Sequence, residues 1–206
     1  MRFEEAVRSR RSVRAFEDRT VPRAAVERAI ADAVQAPAPH HSQPWRFVLL
    51  DDARAKDRFS SAMGRAWRAD LARDGLPPET VAAITGRSHA LLTATPLLVV
   101  CCADMSRAHA YPDERRRLAE WSLFAYSIGA ALQTFMMSLT TAGLASCWIS
   151  APVFCRDAVR EVLGLGGHVE PSALILVGYA SPDYRARPRP EPDPADFIIP
   201  TVSLEP

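Results

Sequence analysis

From Trp121 to Cys155 the chain carries no formal charge, an interval long enough to cross a bilayer, and any fold must first accommodate it. Its polar content argues against a lipid-facing span. Ser122, Ser127, Gln133, Thr134, Ser138, Thr140 and Thr141 are spread through it, and Gly143 and Pro152 break it. A helix from about Asp113 to Ala142, apolar on nearly all sides, satisfies the same residues if it is buried inside a core or an oligomer. No membrane span is therefore expected, and a homodimer is the expected assembly. With 206 residues, 48% hydrophobic and 24% charged, the chain has room for one globular domain with a long appendage.

The 25 basic residues nearly cancel the 24 acidic ones, so no global field draws in nucleic acid, and an anion must be held by a local cluster. Lys56 is the one lysine, which leaves little scope for Schiff-base chemistry. Cys101, Cys102, Cys147 and Cys155 show no C-x-x-C spacing, so neither a metal site nor a disulfide framework is expected, and the compartment reads as reducing and cytoplasmic. The first residues hold acids and arginines with no apolar stretch resembling a signal peptide.

Periodicity predicts a mixed α and β order. Phe3, Ala6 and Val7 fit a short helix; Ala25 to Val34, with Pro22 near its first turn, a second. The prolines of Pro37 to Pro44 then break the helical pattern ahead of the aromatic and β-branched run Trp45 to Leu50, a strand. Asp51 and Asp52 can cap a helix through about Arg73, and Glu79 to Thr93 makes another. Leu97 to Cys102, Ala145 to Ile149 and Ala173 to Tyr179 read as strands, with Cys155 to Leu163 a short helix stopped by Gly164-Leu165-Gly166-Gly167. The expected architecture is α+β, a central mixed sheet flanked by helices, in a single domain over 1–206. From Ser181 onward seven prolines favour an extended tail, whose apolar Phe197-Ile198-Ile199 is expected to pin its end on a surface, which in a dimer could be the partner's.

The densest cationic cluster is Arg10-Arg11-Ser12-Val13-Arg14. In an extended run Arg10, Ser12 and Arg14 project to one side, a set suited to one phosphomonoester and its neighbouring hydroxyls. The loop Pro37 to Pro44 displays His40, His41, Ser42 and Gln43 on a proline-stiffened path, able to contact a polar heterocycle at little ordering cost. No Cys, Asp or Glu stands near the paired histidines at metal-ligand spacing. The G-x-S-x-G, G-x-G-x-x-G and P-loop patterns are all missing, against a serine hydrolase and a Rossmann-type nucleotide site.

Taken together, S-R-R-S-V-R-A-F at 9–16, A-P-A-P-H-H-S-Q-P-W-R-F at 36–47 and A-G-L-A-S-C-W-I-S at 142–150 resemble the flavin-dependent nitroreductase family, over nearly the whole chain. That resemblance implies an intertwined α+β homodimer with FMN at each subunit interface. A closer likeness, through P-A-P-H-H, W-R-A-D-L-A-R-D-G-L-P at 67–77 and H-A-Y-P-D at 109–113, is to the C-terminal FMN-binding domain of coenzyme F-420 gamma-glutamyl ligase. The ligase half has no counterpart here, so ligase activity is not implied.

By the resemblance, Arg10, Arg11, Ser12, Val13 and Arg14 hold the FMN phosphate and ribityl chain, completed by Arg189 or Arg187 from the tail. Ala38, Pro39 and His41 approach the flavin, often from the other subunit, and Ile149 and Ser150 place backbone groups near its pyrimidine and N5. The family commonly has Asn near His41 and Gly where Ala145 stands, two departures in this chain. The chemistry takes place at flavin N5 with no catalytic side chain required. The implied acceptor is coenzyme F-420 or its dehydro precursor, dehydro-coenzyme F-420-0, with His40, Arg68 and Asp70 near it and NAD(P)H or reduced flavin as donor. The alternatives are a general NAD(P)H-dependent nitroreductase or quinone reductase, and a flavin or deazaflavin binder without turnover.

Overall fold

The run Leu97-Leu98-Val99-Val100-Cys101-Cys102 is apolar on both faces, and in the computed structural model, which describes residues 2–199, it forms the core of a strand buried along its whole length. This strand, β2 (Leu97–Asp104), lies inside a four-stranded sheet of order β1-β2-β4-β3, with β1 (Trp45–Leu50), β3 (Ala145–Ile149) and β4 (Val169–Gly178). Every pairing between these strands is antiparallel, where a mixed sheet was expected. Among the described residues the parallel component is a single bridge, Ser12 to Ser146, outside the named strands.

Helices cover both faces, so alternate residues of the central strands feed two cores. Leu97, Val99, Cys101 and Ala103, with Ala173, Ile175 and Val177, pack toward α2 (Arg23–Ala33) and α5 (Glu114–Thr141). Leu98, Val100 and Cys102, with Leu174 and Leu176, pack toward α3 (Ala53–Arg73), α4 (Pro78–Ala94) and α6 (Arg156–Leu163). The short α1 (Phe3–Ser9) rests on α5. Helix ends follow local chemistry. Asp52 accepts from Ala55 N–H at 2.8 Å and Asp113 from Arg116 N–H at 2.9 Å, while Gly164 closes α6 in the left-handed conformation.

The charge-free interval resolves into α5, Gly143, β3 and a 3-10 turn at Ala151–Phe154. Among the described residues α5 is the one helix long and apolar enough to cross a membrane, yet half of its most apolar window is buried within the protein. Phe124, Ile128, Ala131, Leu132, Phe135 and Leu139 form its inward stripe. Leu118, Leu123 and Tyr126 of α5 stay exposed, as do Phe3 and Val7 of α1.

Beyond β4 the chain takes an extended path broken by one 3-10 turn, Pro194–Phe197, as its prolines require. Phe197, Ile198 and Ile199 stand 75%, 68% and 91% exposed, so the described residues of the same chain leave them uncovered. The expectations for residues 200–206 lie outside the described residues.

Candidate functional site

Residues 12–16 leave α1 and run along the open edge of β3. Val13 N–H donates to the Ser146 carbonyl at 3.0 Å, and Phe16 bridges Ala180 beyond β4. Gly178 makes the approach possible, since a Cβ there would lie 2.8 Å from the Phe16 ring. The tail then returns to the same place. Tyr184 Oη donates to the Ser12 carbonyl at 3.4 Å, and the Arg189 guanidinium donates to the Arg10 carbonyl at 3.2 Å. Between the two segments is a cleft of about 430 Å³ lined by Arg11, Ser12, Arg14, Tyr184, Arg185 and Arg187.

This cradle holds positive charge without acidic partners. Among the described residues none of Arg10, Arg11, Arg14, Arg187 and Arg189 forms an ion pair, and Arg11 Nε is buried without a hydrogen-bond partner. Burial, with the nearby guanidinium groups of Arg189 and Arg11, lowers Arg10 from its usual value. Burial pushes the Cys147 thiol up, against the pull of Arg14 and Arg10 and a hydrogen bond with Ser12. Arg10, Ser12 and Arg14 thus all act on one thiol, as side chains sharing one side of an extended run do. Unpaired cations packed this closely are a site for an anion.

At the far end of β3 a second cavity, about 570 Å³, opens between α3, α4 and the turn after β3. Its apolar wall is Met63, Trp67, Leu71, Leu92, Ile149 and Phe154; its polar groups include Ser60, Asp70, Asp74, His89 and Ser150. His89 Nδ1 lies 3.0 Å from Ser60 Oγ and its Nε2 3.5 Å from Asp57 Oδ1, so the ring is oriented from both sides. Burial raises Cys155 to about 11, with Asp70 adding to the effect, which keeps this thiol protonated at neutral pH. Trp148 Nε1 donates to Ser150 Oγ at 3.1 Å and fixes the turn into the cavity.

The 36–44 loop is the third element, and its backbone is strained. His40, His41 and Gln43 have φ of 54°, 50° and 47°, left-handed values for side chains that are not glycine. Arg107 donates to the Ser42 carbonyl at 3.4 Å and Trp45 Nε1 to the Ser127 carbonyl at 3.1 Å, which seats the loop against the first half of α5.

The structure therefore joins Arg10 to Arg14 with Arg187 and Arg189, and joins Asp70 with Ile149 and Ser150. Arg68 donates to Oγ1 of Thr85, a residue of the cavity wall, at 3.4 Å. His40, expected beside Arg68 and Asp70, stacks instead on His109, with ring centroids 4.0 Å apart. Ala38, Pro39 and His41 touch neither the cradle nor the cavity through any contact among the described residues. Ser60, His89, His109 and Glu120 are functional candidates that sequence reasoning missed. Only His109, in the H-A-Y-P-D stretch, lay in a motif already singled out.

A family model for the nitroreductase family matches residues 7–179. The chain belongs to the nitroreductase family. Iodotyrosine deiodinase 1 of Mus musculus is 26% identical over 194 residues, covering 88% of this chain and 63% of that protein. The Homo sapiens deiodinase is 25% identical, covering 90% and 65%. The chain thus spans under two thirds of the curated relatives it matches. Among solved structures, a BluB-like flavoprotein from Clostridium difficile 630 superposes with a TM-score of 0.80 at 19% identity, covering 98% of this chain and all of that one. Oxidized iodotyrosine deiodinase bound to FMN and 3-iodo-L-tyrosine superposes at 0.72 with 17% identity, covering 98% and 100%. These likenesses fix the nitroreductase fold, and with it the α+β class read from the sequence.

Proposed function

We propose that this nitroreductase-family chain is an FMN-dependent oxidoreductase that reduces a small, planar, neutral or cationic acceptor in the α3–α4 cavity. The observation that carries this reading is the spacing of two unlike sites along one strand. Ser146 lies beside the cationic cradle, Ile149 and Ser150 form the cavity wall, and the strand rise between them spans about 13 Å. A ligand with a phosphate at one end and a fused aromatic ring at the other suits that arrangement. The residues present fit FMN: Arg10, Arg11, Ser12, Arg14, Arg187 and Arg189 would hold its phosphate and chain, and the unpartnered Arg11 Nε gives a buried donor for it.

When bound, FMN supplies the hydride chemistry. The chain's own residues supply the rest. Trp67, Leu71, Ile149 and Phe154 exclude water from the acceptor, and each hydride delivered calls for one proton. His89, oriented by Ser60 and Asp57, is the group in the cavity wall suited to give it, either directly or through Ser60 Oγ–H. This goes beyond the expectation of a site with no catalytic side chain.

The narrower reading, reduction of dehydro-coenzyme F-420-0, asks the same cavity to accept an anionic deazaflavin derivative. Asp70 and Asp74 in its wall support a neutral or cationic acceptor instead, such as a quinone or nitro compound. The exposed apolar residues Phe3 and Val7 of α1 and Leu118, Leu123 and Tyr126 of α5, on two helices that pack together, support a homodimer, in which the partner copy's 36–44 loop would bring its Ala38, Pro39 and His41 to the flavin. The four cysteines are free thiols, as suits a reducing cytoplasm, and NAD(P)H or reduced flavin is the donor in this scheme.

The test is single-turnover. Protein reconstituted with FMN is reduced anaerobically and mixed with a quinone, a nitroaromatic, 3-iodo-L-tyrosine and dehydro-coenzyme F-420-0 in turn, following the visible flavin band. Fast reoxidation by a neutral or cationic aromatic is expected. Reoxidation by the deazaflavin precursor alone selects the narrower reading, and a flavin that stays reduced with all four reclassifies the protein as a binder.

A further inference from the structure

Outside the cradle and the cavity, three side chains from three separated segments meet over the first half of α5. His40 belongs to the strained loop, His109 precedes α5, and Glu120 lies in its second turn. The two imidazoles stack at 4.0 Å with 21° between their planes. His40 Nε2 is 3.9 Å from Glu120 Oε1, and one nitrogen or oxygen from each of the three residues lies within 4.8 Å of the others.

Glu120 is the unusual member. Its side chain is 5% exposed, and its partners are the His109 N–H at 2.8 Å and the His40 ring; among the described residues no arginine or lysine pairs with it. A buried carboxylate without a cationic partner is costly. The left-handed backbone of His40, φ 54° and ψ 26°, adds to that cost. Strain of this kind persists where the surroundings hold it in place, and it points to function. Here it holds an imidazole over the carboxylate.

We propose that His40, His109 and Glu120 bind one divalent transition-metal ion of the zinc type, which ties the 36–44 loop to α5. Two imidazole nitrogens and one carboxylate oxygen form the mixed donor set that zinc takes, with water free to complete four-coordination. Ligand atoms around such an ion lie about 2.0–2.2 Å from it, so the three donors must close by roughly an ångström. His40 is 44% exposed in its side chain and His109 is exposed, so both rings can turn to do so. The ion would supply the positive charge that Glu120 lacks. None of this depends on the proposed reductase activity.

The experiment uses the full chain with its native flavin content, stripped with a chelator, dialysed and titrated calorimetrically with zinc chloride. One zinc per chain is expected, with thermal unfolding shifted upward by zinc. His109→Ala and Glu120→Gln should each weaken zinc by at least about 10-fold, the lower end of what loss of even an outer-shell partner costs. His168→Ala, which removes an exposed histidine elsewhere, should leave zinc affinity unchanged. Circular dichroism checks that each variant folds, and exposed His109 keeps the test alive if Glu120→Gln does not. No stoichiometric zinc uptake by the wild type, or uptake that survives His109→Ala, overturns the proposal.

Discussion

The cradle and the cavity lie at opposite ends of β3, and they are built by different means. The cradle comes from one short run, 10–14, backbone-bridged to the sheet edge and closed by a tail that returns to it. The cavity comes from side chains spread over three separate elements, α3, α4 and the turn after β3. A binding element written into consecutive residues and anchored by backbone hydrogen bonds tolerates little change. A wall made of helix faces can change one side chain at a time and alter the acceptor without disturbing the cofactor. The comparison explains how one fold can serve relatives named for as different a reaction as iodotyrosine deiodination.

The sharpest way to separate the two regions is to damage each alone. His89→Gln should slow reoxidation of the reduced flavin by acceptor about 100-fold, within the usual range for loss of a general acid, while flavin content stays at wild-type level by absorbance. Arg14→Ala should do the reverse: FMN affinity falls about 10-fold or more by fluorescence quenching, the loss of one charge-assisted hydrogen bond. Gly178→Ala probes the anchoring itself. Its methyl group meets the Phe16 ring, and unfolding in urea should show a loss of about 1–3 kcal/mol, the usual range for overpacking. If the protein instead keeps its full stability, the 12–16 segment is not held as described.

Asp70→Asn should act on the cavity only, weakening a cationic acceptor and improving an anionic one by about 2- to 5-fold in KM, as for a partly exposed charge. The smallest effect belongs to neither region. Burial raises Asp104, but hydrogen bonds from Ser106 and the charges of Arg46 and His168 outweigh it and leave the carboxyl below its usual value. A depressed folded value gives stability that is present above the unfolded value and lost as pH falls through the folded one. Asp104→Asn should therefore flatten the acid limb of the stability profile, with flavin affinity unchanged at neutral pH.

Periodicity and capping rendered much of this fold legible. Trp45–Leu50 and Ala145–Ile149 are strands at the residues expected, and Asp52 caps the helix it precedes. The sheet's antiparallel pairing was not legible, because alternation says which face a residue takes and nothing of its neighbour's direction. The cradle could be read because its charges are adjacent. His89 could not, since its meaning comes from Ser60, 29 residues away on another helix. Nor could the meeting of His40 with His109 and Glu120, since ligand spacing is informative only within a short segment and β1, α3, α4 and β2 separate the loop from α5.

The central claim is that residues 10–14 and the returning tail hold a phosphate at the edge of β3. It is tested most directly by titrating the apo protein with FMN and with riboflavin, which share the ring and differ in the phosphate. FMN should bind at least about 100-fold more tightly, a difference of roughly 2.7 kcal/mol, and added salt should erode the advantage. Equal affinity for the two would mean that the cradle does not hold the phosphate and would contradict the account.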